Sequence, residues 1–381
     1  MFSGLLTYLF FCALSIVFFS KNDGCATLSA RKKVKNEYIN WTIFFLILLT
    51  GFRNLSVGPD TAGYYLAYRN LEYSDWNEVL ASFKDYYQNG VGKDVGFTVF
   101  RKVFQGFGLS FRFFLLIVSM LFFIPYGRLM KQLECNIAAS FYAFLMFIAL
   151  FLIYAFSSIR QDIAISATLI AYKFVRDRKL IPFLVLILVA STIHKSVLLF
   201  LPYYWIANIN KVKTMATITT VMLPVLFVFA RPIGLFLAQL SGQESYVRYI
   251  ESSWAHSGTP VLTVMLLSCF VLYMLTIKIL NEHDPKHHFY TNTIFLSVGL
   301  LPITWIDPTL VRTLLYFIIY LPIIISNCMV LAPNSYKKTL IEVYFILISY
   351  FFIRTFPPYE FFWNYMPMGG NYAVPFDTTG I

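Results

Sequence analysis

Charge is scarce in this chain. Only 13% of its 381 residues are Asp, Glu, Lys or Arg, about half the 25% usual in soluble domains. So few charged side chains cannot cover a water-facing surface, which excludes a soluble globular fold. Acid is the scarcer sign, 19 Asp and Glu against 30 Lys and Arg, for a net charge of +11. That excess does not indicate a nucleic-acid partner, because the basic residues are scattered through short loops and form no single face. The five cysteines, Cys12, Cys25, Cys135, Cys269 and Cys328, include no CxxC pair, so neither disulfide nor metal chemistry is indicated. There is no Walker phosphate loop, HExxH or GxSxG, which leaves ATP-driven chemistry and serine hydrolysis unsupported. Internal repeats and low-complexity segments are missing too, and the chain reads as a single transmembrane domain over residues 1–381.

Apolar sequence is abundant instead: 58% of residues are hydrophobic, with 40 Phe and 26 Tyr. Runs near the ~20 residues needed to cross a bilayer recur throughout. Only helices and closed barrels satisfy their backbone in lipid, so the expected fold is all-α, a polytopic integral membrane protein. Polar breaks separate about twelve spans, near 2–20, 38–53, 111–127, 137–156, 159–175, 180–193, 196–209, 214–235, 260–279, 289–306, 310–331 and 338–354. The sixth and seventh are short enough to form a hairpin turning within the membrane. Residues 1–20 are apolar with their charges after the run, which marks a first span and not a cleaved signal.

Lys and Arg concentrate in "KNDGCATLSARKKVK", "RLMKQLE", "KFVRDRK", "NKVK", "NEHDPKHH" and "NSYKK". The positive-inside rule puts these loops in the cytoplasm and both termini outside. The outer face then holds one large element, about 54–110, rich in Tyr and charge and containing an amphipathic helix suited to the interface. A second outer loop spans about 240–259.

Several ionisable residues fall at the outward ends of spans: Arg53 and Asp60, Arg160 with Asp162, His194, and Arg312 with Asp307. A charge inside a span costs about 2.5–3.5 kcal/mol and usually faces a polar cavity. Arginines gathered at one depth repel unless an anion joins them, and the guanidinium fork suits bidentate phosphate contact. The plainer alternative is that basic side chains at helix ends snorkel to headgroups, and Arg101, Lys102, Arg112 and Arg354 are assigned to it. His194 ends an apolar helix beside Lys195; it is either a structural hydrogen-bonding residue or a general base, its ordinary pKa being near 6.5. The cluster "EHDPKHH" has no recognised ligand spacing and reads as a solvated loop. "NWT" and "NLS" match the glycosylation tripeptide, which short sequences meet by chance.

"GFRNLSVGPDTAGYYLAYRN" resembles the first conserved block of the EpsG-like group of Wzy polymerases, multispan enzymes that polymerise O-antigen or exopolysaccharide repeat units. "SSIRQDIAISATLIAYKFVRDRKLIPFLVLILVASTIHKSVLLFLPYYWI" is similar to that group's second block, an Arg-Gln pair followed by His-Lys-Ser. "DPTLVRTLLYFIIYLPIII" resembles its late arginine-containing span. The likeness runs over roughly residues 40 to 360, with one departure, Pro59, where the family more often has a small polar residue. It implies a GT-C-like helical glycosyltransferase in the bacterial inner membrane, facing the periplasm. The expected reaction transfers a growing glycan from undecaprenyl diphosphate to the terminal sugar hydroxyl of a lipid-linked repeat unit. The resemblance implies diphosphate binding by Arg53, Arg160 and Arg312, a base at His194 or Asp60, and sugar contacts from Tyr64, Tyr65 and Tyr68. No metal, nucleotide or other cofactor is implied. Membrane lipid, undecaprenyl-diphosphate-linked oligosaccharides and a chain-length regulator protein are the implied partners.

Three other readings use similar residues. A lipid-linked oligosaccharide flippase would also hold arginines for a diphosphate, but transporters carry such charges near the midplane and usually show paired repeats. A membrane O-acyltransferase would draw on a cytoplasmic acyl donor, favouring the inner side. An O-antigen ligase shares the chemistry, and only the resemblance separates it from a polymerase.

Overall fold

The computed structural model describes residues 2–89, 94–240, 259–307, 310–355 and 359–362. The second expected outer loop, 240–259, lies almost wholly outside them. Among the described residues all regular structure is helical, apart from one isolated antiparallel bridge between Arg53 and Phe361. The chain divides into two compact units: residues 1–169, 188–195 and 338–381 form the first, and 170–187 with 196–337 the second.

The first unit opens with α1 (Phe2–Asp23) and α2 (Leu28–Gly51). The Thr27 side chain starts α2 by accepting from the Ala30 amide at 3.2 Å, satisfying one of the amides a helix start leaves open. α6 (Phe111–Leu133) lies along α2. Two glycines permit their close approach: a Cβ on Gly51 would lie 3.0 Å from the Leu116 Cα, and one on Gly127 2.7 Å from Ile43 Cγ1. Small residues at such seams let helix backbones meet. At the far end of the seam Lys35 is buried, and its Nζ donates to the carbonyls of Glu134 (2.8 Å) and Lys131 (3.3 Å), covering acceptors that the end of α6 leaves open. α7 (Ile137–Leu150) and α8 (Leu152–Ser157) follow, the first capped by Asn136.

Between α2 and α6 the expected outer element forms three helices: α3 (Thr61–Asn70), α4 (Trp76–Asn89) and α5 (Val95–Gly106). α4 leaves Trp76, Leu80 and Tyr87 exposed and buries Val79. Lys102, expected to snorkel, is buried instead. Its Nζ donates to the Leu71 carbonyl at 2.7 Å, while Gln105 Nε2 donates to the Tyr68 carbonyl at 3.0 Å, so α5 closes the open end of α3. The first turns of α9 (Ile159–Arg176), the last turn of α10 (Leu180–Ile193) and most of α17 (Asn334–Thr355) complete this unit.

The second unit contains α11 (Tyr203–Ile206), α12 (Val212–Leu240), α13 (Pro260–His283), α14 (His288–Gly299), α15 (Val311–Ile318) and α16 (Leu321–Leu331). α14 is its centre, buried continuously from Tyr290 to Gly299. Its polar groups are matched within the unit. Asn292 Nδ2 donates to the carbonyls of Ile206 and Ile209, each at 2.9 Å, and the Tyr273 hydroxyl donates to Thr291 Oγ1 at 3.1 Å.

His287, in the loop before α14, is 2.9 Å through Nδ1 from Thr291 Oγ1. Burial pushes its imidazole down to about 4, against a smaller upward pull from Asp284. With the folded value below the ordinary one, the neutral ring's contribution is complete above pH ~6.5 and is lost as pH falls through ~4, worth up to about 3 kcal/mol. Detergent-purified protein should therefore melt at progressively lower temperature over that window, and His287→Gln should flatten the slope. An unchanged slope in the variant would refute this role for His287.

Three described helices are each long and apolar enough to cross a membrane: α6, the Val212–Phe229 part of α12, and α13. The pair α15 and α16, bent by 48°, makes a fourth if counted as one span. The described residues are thus all-helical, with several helices apolar and long enough to cross a membrane, and fewer of the twelve expected runs form long continuous helices. Proline accounts for several breaks, because it lacks an amide proton and crowds the preceding turn. Pro322 sits at the α15–α16 bend, and Pro302 lies in the 3₁₀ turn Leu301–Trp305 that ends the run expected at 289–306. The run expected at 196–209 is likewise not one helix; the 3₁₀ turn Lys195–Phe200, Pro202 and the single turn α11 fill it.

Candidate functional site

α2 stops at Gly51, and the chain then folds Arg53 inward until it is only 3% exposed. Its Nη1 donates to the Thr50 carbonyl (2.5 Å) and its Nε to Thr61 Oγ1 (3.4 Å), while Nη2 has no hydrogen-bond partner. A strand-like segment from the far end of the sequence fixes the backbone here. Asn54 N donates to Glu360 O at 2.9 Å, Phe362 N to Phe52 O at 3.0 Å, and the Tyr359 hydroxyl to Leu49 O at 2.7 Å.

The turn that follows depends on Gly58. Its φ of +87° suits glycine, and a Cβ there would come within 2.8 Å of the Phe156 carbonyl carbon. Thr61 Oγ1, next to it, lies 3.0 Å from the Phe156 oxygen. The turn thus presses the start of α3 onto the chain just ahead of α9. Pro59 is exposed at the outer edge of this turn. Asp60 stands at the N-terminus of α3 without capping it, and its charge acts on Arg160 and Tyr64.

Arg160 lies in the first turn of α9. Its Nη1 pairs with Asp94 Oδ2, and its Nε donates to the Tyr64 hydroxyl at 3.3 Å, with the guanidinium carbon 5.8 Å from the Tyr64 ring centroid. The arginine side chain is 29% exposed and the aspartate 5%, so this guanidinium reaches solvent from a buried support. Asp94 occupies the left-handed region (φ 50°, ψ 44°) at the start of α5, and its carboxylate makes no capping bond to that helix. Non-glycine residues are uncommon in this conformation.

Arg101 lies about two turns along α5 from Asp94. It is 9% exposed, its guanidinium carbon sits 4.7 Å from the Phe97 ring centroid, its Nη2 donates to Thr98 Oγ1 (3.3 Å), and its Nε has no partner. Burial first, then the like charge of Arg160, lowers it to about 10. Asp162 is 4% exposed within electrostatic reach of Arg53, though no ion pair joins them. The Tyr64 hydroxyl feels Arg53, Arg160, Asp60 and Asp162 together. Three arginines and three aspartates are thus linked around α3, α5 and the start of α9.

His194 comes to the same end of this unit. Gly96, two residues past Asp94, packs so tightly on α10 that a Cβ would meet Thr192 Cβ at 2.6 Å and its carbonyl oxygen at 2.7 Å. His194 follows Thr192 by two residues, and Lys195 Nζ lies 4.7 Å from the centroid of the Tyr86 ring.

The structure departs from the sequence expectation at Tyr68. Only 4% exposed, it donates its hydroxyl to the Leu109 carbonyl at 2.7 Å and packs on Phe111 and Phe114; its ring belongs to the core and has no face left for a sugar. Tyr65 keeps partial exposure, its ring against Phe111 and its hydroxyl accepting from Arg69 at 3.2 Å. Arg312 is exposed on α15, and Asp307 is buried; both belong to the second unit. Sequence reasoning missed Asp94, which reads as an ordinary helix-capping residue. It also assigned Arg101 to snorkelling, although Phe97, Thr98 and Arg101 recur at helical spacing on one face.

A family model described as the EpsG family matches residues 37–366, a span holding every residue of this cluster. No curated protein and no solved structure matches the chain.

Proposed function

The chain belongs to the EpsG family, and on that footing we propose that it is a polysaccharide polymerase of the bacterial inner membrane. In this reading it works at the periplasmic face on repeat units carried by undecaprenyl diphosphate. The glycosidic carbon of the donor leaves its diphosphate and bonds to a sugar hydroxyl of the acceptor, whose proton passes to a base. The leaving diphosphate gains negative charge as its bond to the sugar breaks. Guanidinium groups held ready for that charge lower the barrier.

The observation that carries this reading is Arg160, a solvent-reaching guanidinium set among buried groups that fix its direction. Arg160 is assigned the direct phosphate contact. Arg53, buried with one uncommitted Nη2, contributes positive potential from inside the protein. His194 is the base, with Asp60 as its rival, and Tyr64 and Tyr65 are the aromatic groups for sugar rings. No metal or nucleotide is called for, since the donor already carries the energy of the transfer.

A polysaccharide gel from a deletion strain tests the reaction. A ladder that collapses to a single repeat unit on the lipid core supports a polymerase, whereas complete loss of surface sugar indicates a flippase or ligase. For the base, His194→Ala should shorten chains to one or two units while the protein still accumulates in the membrane. Wild-type chain lengths from that variant would transfer the role to Asp60.

A further inference from the structure

Arg160 has an occupant already. The Asp94 carboxylate takes Nη1, the Tyr64 hydroxyl takes Nε, and the side chain as a whole is 29% exposed. Asp94 reaches this position at some cost: its backbone is left-handed, and its side chain forgoes the cap it could have given α5. Gly96, two residues on, lets the start of α5 pack closely on Thr192. Arg101, on the same helix, brings a second guanidinium within reach of Arg160 and leaves its Nε unfilled. The two guanidinium groups act unfavourably on each other, and an anion that meets both relieves that repulsion.

We propose that Asp94 is an internal counter-ion which Arg160 exchanges for an incoming diphosphate ester, and that Arg101 completes the cationic clamp once the carboxylate has given way. Asp94 then has a second task, because the spent diphosphate leaves as the carboxylate takes the guanidinium back. The arginine side chain keeps 29% of its surface open although the carboxylate is buried, so an incoming anion can meet the guanidinium before the pair opens and replace the charge that would otherwise be lost. Asp94 is therefore a positioning residue acting through Arg160, and the inference rests on the phosphate-binding reading of this site.

The test measures binding of farnesyl diphosphate and of inorganic diphosphate to the full chain purified in detergent, for wild type, Asp94→Asn, Arg160→Gln, the double variant and Arg101→Gln. Exchange predicts that Asp94→Asn binds about tenfold more tightly than wild type, the equivalent of about 1.4 kcal/mol. It predicts no such gain in the Arg160→Gln background, and several-fold weaker binding for Arg101→Gln. Tightening with both probes assigns the exchange to the diphosphate itself; tightening with farnesyl diphosphate alone assigns it to the lipid-linked group. Unchanged or weaker binding by Asp94→Asn, with wild type binding normally, overturns the exchange and leaves the phosphate site standing. If folded wild type and Asp94→Asn both fail to bind either probe, the phosphate-site reading falls and the exchange with it. Should Asp94→Asn not fold, Asp94→Ser provides the same comparison.

Discussion

Arg160→Ala will leave a membrane-inserted protein that makes no long polymer. Removing one preorganised donor to a developing anion typically costs 10²–10³ in rate, about 2.7–4 kcal/mol. The folding penalty should be smaller than for a fully buried arginine, since the side chain is 29% exposed. A polysaccharide gel read beside the amount of protein in the membrane fraction separates the two effects. Arg160→Lys should fail almost as completely, because an ammonium cannot reproduce the planar fork. Combining Arg160→Ala with Asp94→Ala, which removes the stranded carboxylate, should recover abundance but not polymer. Undiminished chain length from Arg160→Ala would remove this residue from the mechanism.

Arg53→Ala will behave differently, through loss of folded protein. Arg53 is almost fully buried, and Asp162, also buried, is the carboxylate whose charge acts on it most. Removing Arg53 leaves the Thr50 carbonyl without its donor and takes away the charge that acts on Asp162, and a buried polar group left unmatched typically costs about 1–3 kcal/mol, more when it is charged. That is a large part of the 5–15 kcal/mol that holds a domain together. The protein should disappear from the membrane fraction, and its detergent-solubilised melting temperature should fall sharply. Adding Asp162→Asn should restore part of the loss. An Arg53→Ala protein with normal abundance and melting would show that Asp162 is balanced by some other group.

The sequence disclosed the helical class and two of the arginines that end in one cluster. These features follow from apolar run length and from charges too costly to leave without purpose. Asp94 and Arg101 were illegible for a definite reason. An aspartate before a helix and an arginine in an aromatic-rich stretch each have ordinary explanations, and only the folding of α5 onto α9 and α10 changes their meaning. Lys102 and Tyr68 show the reverse: both looked available to the outside, and both are consumed in joining α3 to its neighbours. Run length marks apolar segments but not their continuity, since prolines such as Pro302 and Pro322 break the helices within them.

The short pairing of residues 52–54 with 360–362 sets an order of events during synthesis. The backbone partner of this segment is made 307 residues after it, counting from Asn54 to Phe361. Until then the Tyr359 hydroxyl and the Glu360 carbonyl are not there to hold it. The backbone around Arg53 is therefore held in its folded position only once residues 359–362 have been made.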